Sequence, residues 1–351
     1  MSSFTSHRSW AALLGMAAGV TAMGLVGSVA HASAIASDNA SNYTGALSTG
    51  STGGTGFGSW TVLTADANSP PYVGNYLDNS NQAIATNNDS WGVYSNPGGS
   101  PPNPPLAPGR IDLSRPFSGA LAANQTFSVA MEAGQPNGIG SEVYGYSSAN
   151  STPATYHAYG VPAYGFSLQT STPGAVTAGT TALSVANPFA NPPSSASYSA
   201  DTFSNPNAVF TFSLSALGPG ETLNGQSNPD TTTSGGYVME TNITDATGMH
   251  STLSGITDAQ TKAGFSAAFT LGAGNAYTLT LTSVGATPTV LDTYTGTISG
   301  AINGVDLFGQ NTASNGYFNS LSITAVPEPA TIGLFIAAGA GLLLIRRRRT
   351  V

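Results

Sequence analysis

The chain has 351 residues, 7% of them charged, with 8 basic and 16 acidic side chains and no cysteine. So few cations exclude an electrostatic footprint for nucleic acid. The missing thiols exclude disulfides, thiolate metal sites and a cysteine nucleophile.

In chain order, Arg8 precedes an apolar run from Trp10 to Val29, and Ala30-His31-Ala32-Ser33-Ala34 offers small-x-small cleavage sites. This pattern predicts a secretory signal peptide over residues 1–34. Residues 35–56 are rich in Ser, Thr and Gly and read as a flexible lead-in. Residues 57–325 carry the period of strands. Phe127, Val129 and Met131 alternate with Ser128 and Ala130, Phe210, Phe212 and Leu214 with Thr211 and Ser213, and Tyr277, Leu279 and Leu281 with Thr278 and Thr280. Each is an apolar face backed by hydroxyls. Further strands are expected at Phe57–Thr64, Ser90–Ser95, Gly236–Asn242, Phe265–Leu271, Asp292–Ile298, Val305–Phe308 and Tyr317–Ala325. No window has a helical period. Many short strands between Gly, Pro and Asn turns predict an all-β antiparallel sandwich. Asn96–Gly109 and Asn187–Asn207 read as loops by composition, and Ser141–Thr170 as an insertion. Between residues 35 and 326 only Arg110, Arg115 and Lys262 oppose fifteen carboxylates, a formal charge of −12.

The chain closes on Val326-Pro327-Glu328-Pro329, an apolar run from Ala330 to Ile345, and Arg346-Arg347-Arg348-Arg349. The prolines hold their segment extended, the apolar run suits a bilayer, and the arginines stop on the cytoplasmic side. Sixteen helical residues reach about 24 Å, short of a hydrocarbon core of about 30 Å. Snorkelling arginines and local thinning cover the gap.

Catalytic material is sparse. His157 and His250 sit in no helical metal pattern, and no Gly-x-Ser-x-Gly elbow occurs. A glycosidase needs two carboxylates held across the sugar, whereas Glu132, Glu142, Glu221 and Glu240 are scattered. Glu132 ends a strand and Glu240 sits within one, so that pair alone could meet in space. No enzyme is expected. Aromatic rings and Asn-rich loops fit sugar better: ring faces take the apolar side of a pyranose, and side-chain amides and carboxylates take its hydroxyls. Trp60, Tyr72, Tyr76, Trp91 and Tyr94 cluster in the first third, and Tyr144, Tyr146, Tyr156, Tyr159 and Tyr164 crowd the insertion. Trp60 and Trp91 also fit a core. The candidate glycan contacts are Tyr156, Tyr159, Tyr164 and Trp91.

The motif, apolar span and arginine cluster at 326–351 together resemble the PEP-CTERM sorting signal of Gram-negative bacteria. That resemblance implies export by the secretion machinery, transient anchoring in the inner membrane, and recognition of Val326, Pro327, Glu328 and Pro329 by an exosortase. It also implies a place at the cell surface or outside it, with exopolysaccharide or biofilm as the setting. A second resemblance spans residues 55–325. Gly58-Ser59-Trp60, Ser90-Trp91-Gly92-Val93-Tyr94, Arg115-Pro116-Phe117 with Leu121, Gln125-Thr126-Phe127-Ser128-Val129 and Tyr317-Phe318-Asn319-Ser320-Leu321 are similar to segments of concanavalin A-like jelly rolls. Such folds often hold calcium, for which Asp78, Asn79 and Asn81 or Asp306 are the candidates, although no calcium-loop pattern occurs. The expected function is that of an exported, non-enzymatic matrix protein binding polysaccharide. The alternatives are a self-associating structural protein, and a glycan hydrolase with dispersed carboxylates.

Overall fold

The computed structural model describes residues 33–66, 73–80, 82–95, 109–133, 163–171, 205, 207–217, 222–223, 226–227, 238–310 and 315–325. Residues 34–324 form one compact unit. Its strands are β1 (Ala34–Asp38), β2 (Thr61–Asp66), β3 (Val73–Asp78), β4 (Ser90–Ser95), β5 (Gly109–Pro116), β6 (Gln125–Ala133), β7 (Ala163–Gln169), β8 (Ala208–Leu217), β9 (Thr222–Leu223), β10 (Gln226–Ser227), β11 (Val238–Asp245), β12 (Gly248–Thr257), β13 (Phe265–Leu271), β14 (Ala276–Ser283), β15 (Val290–Thr297), β16 (Gly304–Gln310) and β17 (Gly316–Ala325).

Two antiparallel sheets carry the fold. One has eight strands in the order β15-β14-β13-β6-β17-β4-β3, with β1 added against β17, and the other has seven in the order β12-β11-β8-β7-β16-β5-β2. The alternating apolar side chains explain why they pair face to face. Phe265, Ala267 and Phe269 of β13 stand opposite Met131, Val129 and Phe127 of β6, so one face of the eight-stranded sheet is continuous hydrocarbon. It meets the matching face of the other sheet through Phe127–Phe166 at 5.7 Å and Phe210–Phe269 at 4.8 Å between ring centroids. Each such large side chain stabilises by about 1.5–3 kcal/mol on burial.

All ten expected strands exist, with the first shifted from Phe57–Thr64 to Thr61–Asp66. Other expectations need correction. The segment 35–56 is part of the sandwich: β1 pairs with β17, and Ala36, Ala40 and Leu47 are buried. The stretch read as an insertion ends in β7, a central strand in which every residue is buried. Strands β3 and β12 carry Asn, Asp, Ser and Gly in place of clean apolar alternation, and β5 alternates only two apolar residues, Ile111 and Leu113, with charged and polar ones, which hid them. A short helix, α1 (Asp258–Lys262), also forms. Thr257 caps it with a reciprocal Thr–Gln capping box to Gln260.

The two predicted loops lie outside the described residues except at their ends. So do the apolar run Trp10–Val29 and the whole of 326–351, with Val326, Pro327, Glu328, Pro329 and Arg346, Arg347, Arg348 and Arg349. Among the described residues no helix is long and apolar enough to cross a membrane.

Candidate functional site

Three tyrosines converge on the outward face of the eight-stranded sheet. Along β4 the period of two sends Trp91 and Val93 into the core and Gly92 and Tyr94 outward. Register then assembles the site. Gly92 stands opposite Tyr76 of β3 on one side and Tyr317 of β17 on the other, and Tyr94 stands opposite Gly74.

The two glycines let the rings lie down. A Cβ on Gly92 would fall 2.4 Å from the Tyr76 ring, and one on Gly74 would fall 2.4 Å from the Tyr94 hydroxyl. Any larger residue would lift the ring off the sheet. Tyr76 and Tyr94 lie 6.3 Å apart with a 41° tilt, and Tyr76 and Tyr317 lie 6.4 Å apart nearly edge-on. Tyr76 donates to the Tyr317 hydroxyl at 3.2 Å. Tyr76 and Tyr94 are half-buried and Tyr317 is buried. Burial, and then the bond to Tyr317, push the Tyr76 hydroxyl well above its ordinary range, so it stays a neutral donor and acceptor.

Polar groups border the rings. Asp78 accepts from Ser80 Oγ at 2.6 Å and from Gln82 Nε2 at 3.0 Å. Glu132 accepts from the Ile84 amide at 3.3 Å. Its carboxyl is raised, chiefly by burial, against the pull of the Ile84 and Ala83 amides. One side chain holds this rim in place. Asn319 is fully buried, donates to the carbonyls of Ile84 and Asp89 at 2.9 Å each, and accepts from the amide of Ala40 at 2.9 Å. The patch therefore sets two half-buried tyrosine rings side by side, bordered by phenol and carboxylate oxygens.

A second polar constellation lies on the outward face of the seven-stranded sheet. Arg110, Asp112 and Ser114 of β5 alternate with Ile111 and Leu113 of the core, and Asp306 of β16 stands opposite Ser114. Arg110 donates to Asp112 at 2.6 Å and lies 3.5 Å from Asp306. Ser114 donates to Asp306 at 2.7 Å, Gln169 Nε2 to Ser114 at 3.2 Å, and Arg110 lies over the Phe308 ring at 4.3 Å. Burial first, and the neighbouring Asp112 second, hold the Asp306 carboxyl well above the usual carboxylate range. Asp112 and Asp306 are completely inaccessible and meet their hydrogen-bonding needs internally, so this cluster reads as structure.

Of the expected sugar contacts, Trp91 is 1% exposed and packs against Trp60 at 5.3 Å. Tyr164 is completely buried. Its ring lies 4.5 Å from Phe318, and its hydroxyl donates to the Tyr317 carbonyl and accepts from the Glu132 amide. Both are core residues, because their strand positions share the parity of the apolar face. Tyr156 and Tyr159 lie outside the described residues, as does His157. Tyr76 and Tyr94 belonged to the aromatic cluster of the first third, while Tyr317 carried no local signal beyond a strand.

Glu132 and Glu240 lie on different sheets, in β6 and β11. Asp78 and Asp306 are engaged as above. Among the described residues no group of three or more acidic or histidine side chains is arranged to hold a metal. His250 is exposed beside Thr247, 2.6 Å from its hydroxyl.

No family model and no curated protein matches the chain. Solved structures similar to it include a legume lectin-like domain from Entamoeba histolytica, at TM-score 0.34 and 8% identity over 72% of this chain and 90% of that one. The T. cruzi calreticulin globular domain gives 0.35 and 9% over 81% and 89%. The binding domain of Botulinum neurotoxin serotype D gives 0.32 and 10% over 87% and 52%. These scores mark a loose likeness between β-rich chains and carry nothing about function.

Proposed function

We propose that this protein is an exported, non-enzymatic matrix component of jelly-roll type that binds polysaccharide through the Tyr76–Tyr94–Tyr317 face. The observation that carries the reading is the pair of half-buried tyrosine rings laid across Gly92 and Gly74. Rings held flat against backbone lose little entropy on stacking with the apolar face of a sugar. The acidic composition, with a formal charge of −8 over the whole chain, favours a neutral or cation-bridged glycan over an anionic one. Sorting by an exosortase through Val326–Pro329, with Ala330–Ile345 and Arg346–Arg349 as a transient anchor in the inner membrane, is the route that the tail's sequence supports.

The test titrates the protein against the producing cell's exopolysaccharide and a panel of neutral glycans. Two ring faces at about 1 kcal/mol each make Tyr76→Ala with Tyr94→Ala bind roughly thirtyfold more weakly, with the folded β-sheet signature retained by circular dichroism. Gly92→Ala, which displaces the Tyr76 ring without removing it, should weaken binding by an intermediate amount. Undiminished binding in the double variant would remove this face from the reading. Release of reducing ends from the same panel would favour the hydrolase alternative.

A further inference from the structure

The tight turn between β11 and β12 brings three donor atoms together. Asp245 closes β11 and Gly248 opens β12 in the left-handed region, at φ 114°. His250 stands opposite Ile243. Residues two apart on a strand share a face, so His250 and Asp245 lie on the same side of the hairpin. Asp245 Oδ1 is 3.6 Å from His250 Nε2. The Thr247 hydroxyl, within the turn, is 2.6 Å from each of them.

The carboxylate is fixed from behind. Its Oδ2 accepts from the Tyr277 hydroxyl of β14, on the other sheet, at 2.9 Å, and its Oδ1 accepts from the Thr247 amide at 2.8 Å. Gly296 of β15 makes the room: a Cβ there would fall 2.3 Å from Asp245 Oδ2 and 2.7 Å from the Tyr277 hydroxyl. The Ala246 amide donates to the Thr297 carbonyl at 3.0 Å and ties the turn to β15. The Asp245 side chain is 4% exposed and that of His250 is 54% exposed. One donor is thus held rigidly, and the other stands open to solvent.

Imidazole, carboxylate and hydroxyl form the donor set of a transition metal, whereas calcium and magnesium take oxygen alone. Zinc bonds of about 2.0–2.2 Å to nitrogen and oxygen at tetrahedral angles set two ligand atoms about 3.4 Å apart. The observed 3.6 Å is close to that edge, so side-chain adjustment alone admits an ion. We propose that His250 and Asp245 bind a divalent transition-metal ion of the zinc type, with the Thr247 oxygen as a third donor and solvent completing the shell. Nε2 binds through its lone pair while the ring keeps its one proton on Nδ1. Thr247 goes on donating to Asp245 through its own proton. Tyr277 is the positioning residue behind the carboxylate. The formal charge of −8 over the whole chain raises the local concentration of cations. Because Asp245 is bonded to Tyr277 across the two sheets, the ion stabilises the folded sandwich. The site does not depend on the glycan reading.

Calorimetric titration of the full chain with zinc alone tests it, with calcium as the control ion. The expected result is saturable zinc binding that His250→Ala abolishes, that Asp245→Asn weakens by roughly tenfold or more, and that His157→Ala leaves unchanged. Calcium should give no such binding. Zinc should also raise the unfolding midpoint of the wild-type chain and leave that of His250→Ala where it was. His250 is exposed, so that variant should fold, and circular dichroism without metal confirms the fold of each protein. No saturable binding at millimolar zinc overturns the proposal. So does binding that survives His250→Ala. Binding that needs His250 but is indifferent to a folded Asp245→Asn marks a lone surface histidine and overturns it as well.

Discussion

Arg115→Met lowers the free energy of unfolding by about 3–5 kcal/mol, the usual consequence of removing one partner from a buried ion pair. Arg115 is completely buried with Asp38, to which Nη1 donates. Nε donates to the Gly58 carbonyl at 2.6 Å and Nη2 to the Gly53 carbonyl at 2.5 Å, and the guanidinium lies 5.1 Å from the ring centres of both Phe57 and Trp60. Asp38 also accepts from Tyr43 at 2.6 Å and Asn42 at 2.7 Å, and Tyr43 in turn accepts from Trp60 Nε1 at 2.8 Å. Burial, with the bond to Asp38 adding, raises the Tyr43 hydroxyl, so it remains a donor. One planar fork thus ties the N-terminal segment 34–60 to β5. A lysine offers a single point donor and cannot reach all three acceptors, so Arg115→Lys should be nearly as damaging as the methionine. Denaturant unfolding measures both. Arg115→Met combined with Asp38→Asn should destabilise by less than the sum of the two single changes, because it leaves no lone buried charge. Strict additivity, or a loss under 1 kcal/mol for Arg115→Met, would remove the clasp from the account of stability.

Asp306→Asn flattens the dependence of stability on pH. The folded protein holds the Asp306 proton more tightly than the unfolded chain does, since its carboxyl is raised by burial and by Asp112. Between an unfolded value of about 3.9 and that raised folded value, folding takes up a proton, and stability falls as pH rises, by at most about 1.4 kcal/mol per pH unit. The contribution is complete below the unfolded value and is lost as pH climbs through the folded one. Asparagine keeps an acceptor for Ser114 and a donor toward Asp112 but cannot ionise. The variant should therefore lose nothing from pH 7 upward relative to wild type, and gain if the folded carboxyl has begun to ionise there, while any deficit appears near pH 4. Urea unfolding of the two proteins across that range gives the comparison. Parallel pH profiles would show that Asp306 ionises in the folded protein as it does in water.

Both predictions trace to one compositional fact. Only two arginines lie between residues 35 and 326, and both are buried, Arg110 at 4% exposure and Arg115 at 1%. Each sits among aspartates, and the buried carboxylates Asp38, Asp78, Asp112, Glu132, Glu240 and Asp306 outnumber the two cations, so the arginines serve the interior and not the surface. Composition announced the acidity, and the tertiary structure alone shows where the missing positive charge went.

Alternation was enough to place ten strands and the all-β class, because the period of two is a local property of side chains on a pleated ribbon. It missed β5, where only Ile111 and Leu113 alternate with the charged and polar Arg110, Asp112 and Ser114, and where Ser114 and Arg115 find Asp306 and Asp38 on other strands. It also failed to sort aromatic residues into core and surface. Tyr164 and Tyr76 look alike in sequence, yet one is a buried strut between the sheets and the other lies on an outward face. What separates them is register. Tyr76 meets Tyr317 across 241 residues, and Asn319 holds Ala40 across 279. Cross-strand neighbours are chosen by sheet topology at such separations. The sequence by itself therefore determined the strand class, the absence of thiol chemistry and the acidic character. The tertiary structure decided which rings face outward and which charges lie inside, because those outcomes depend on pairs of residues that no local window contains.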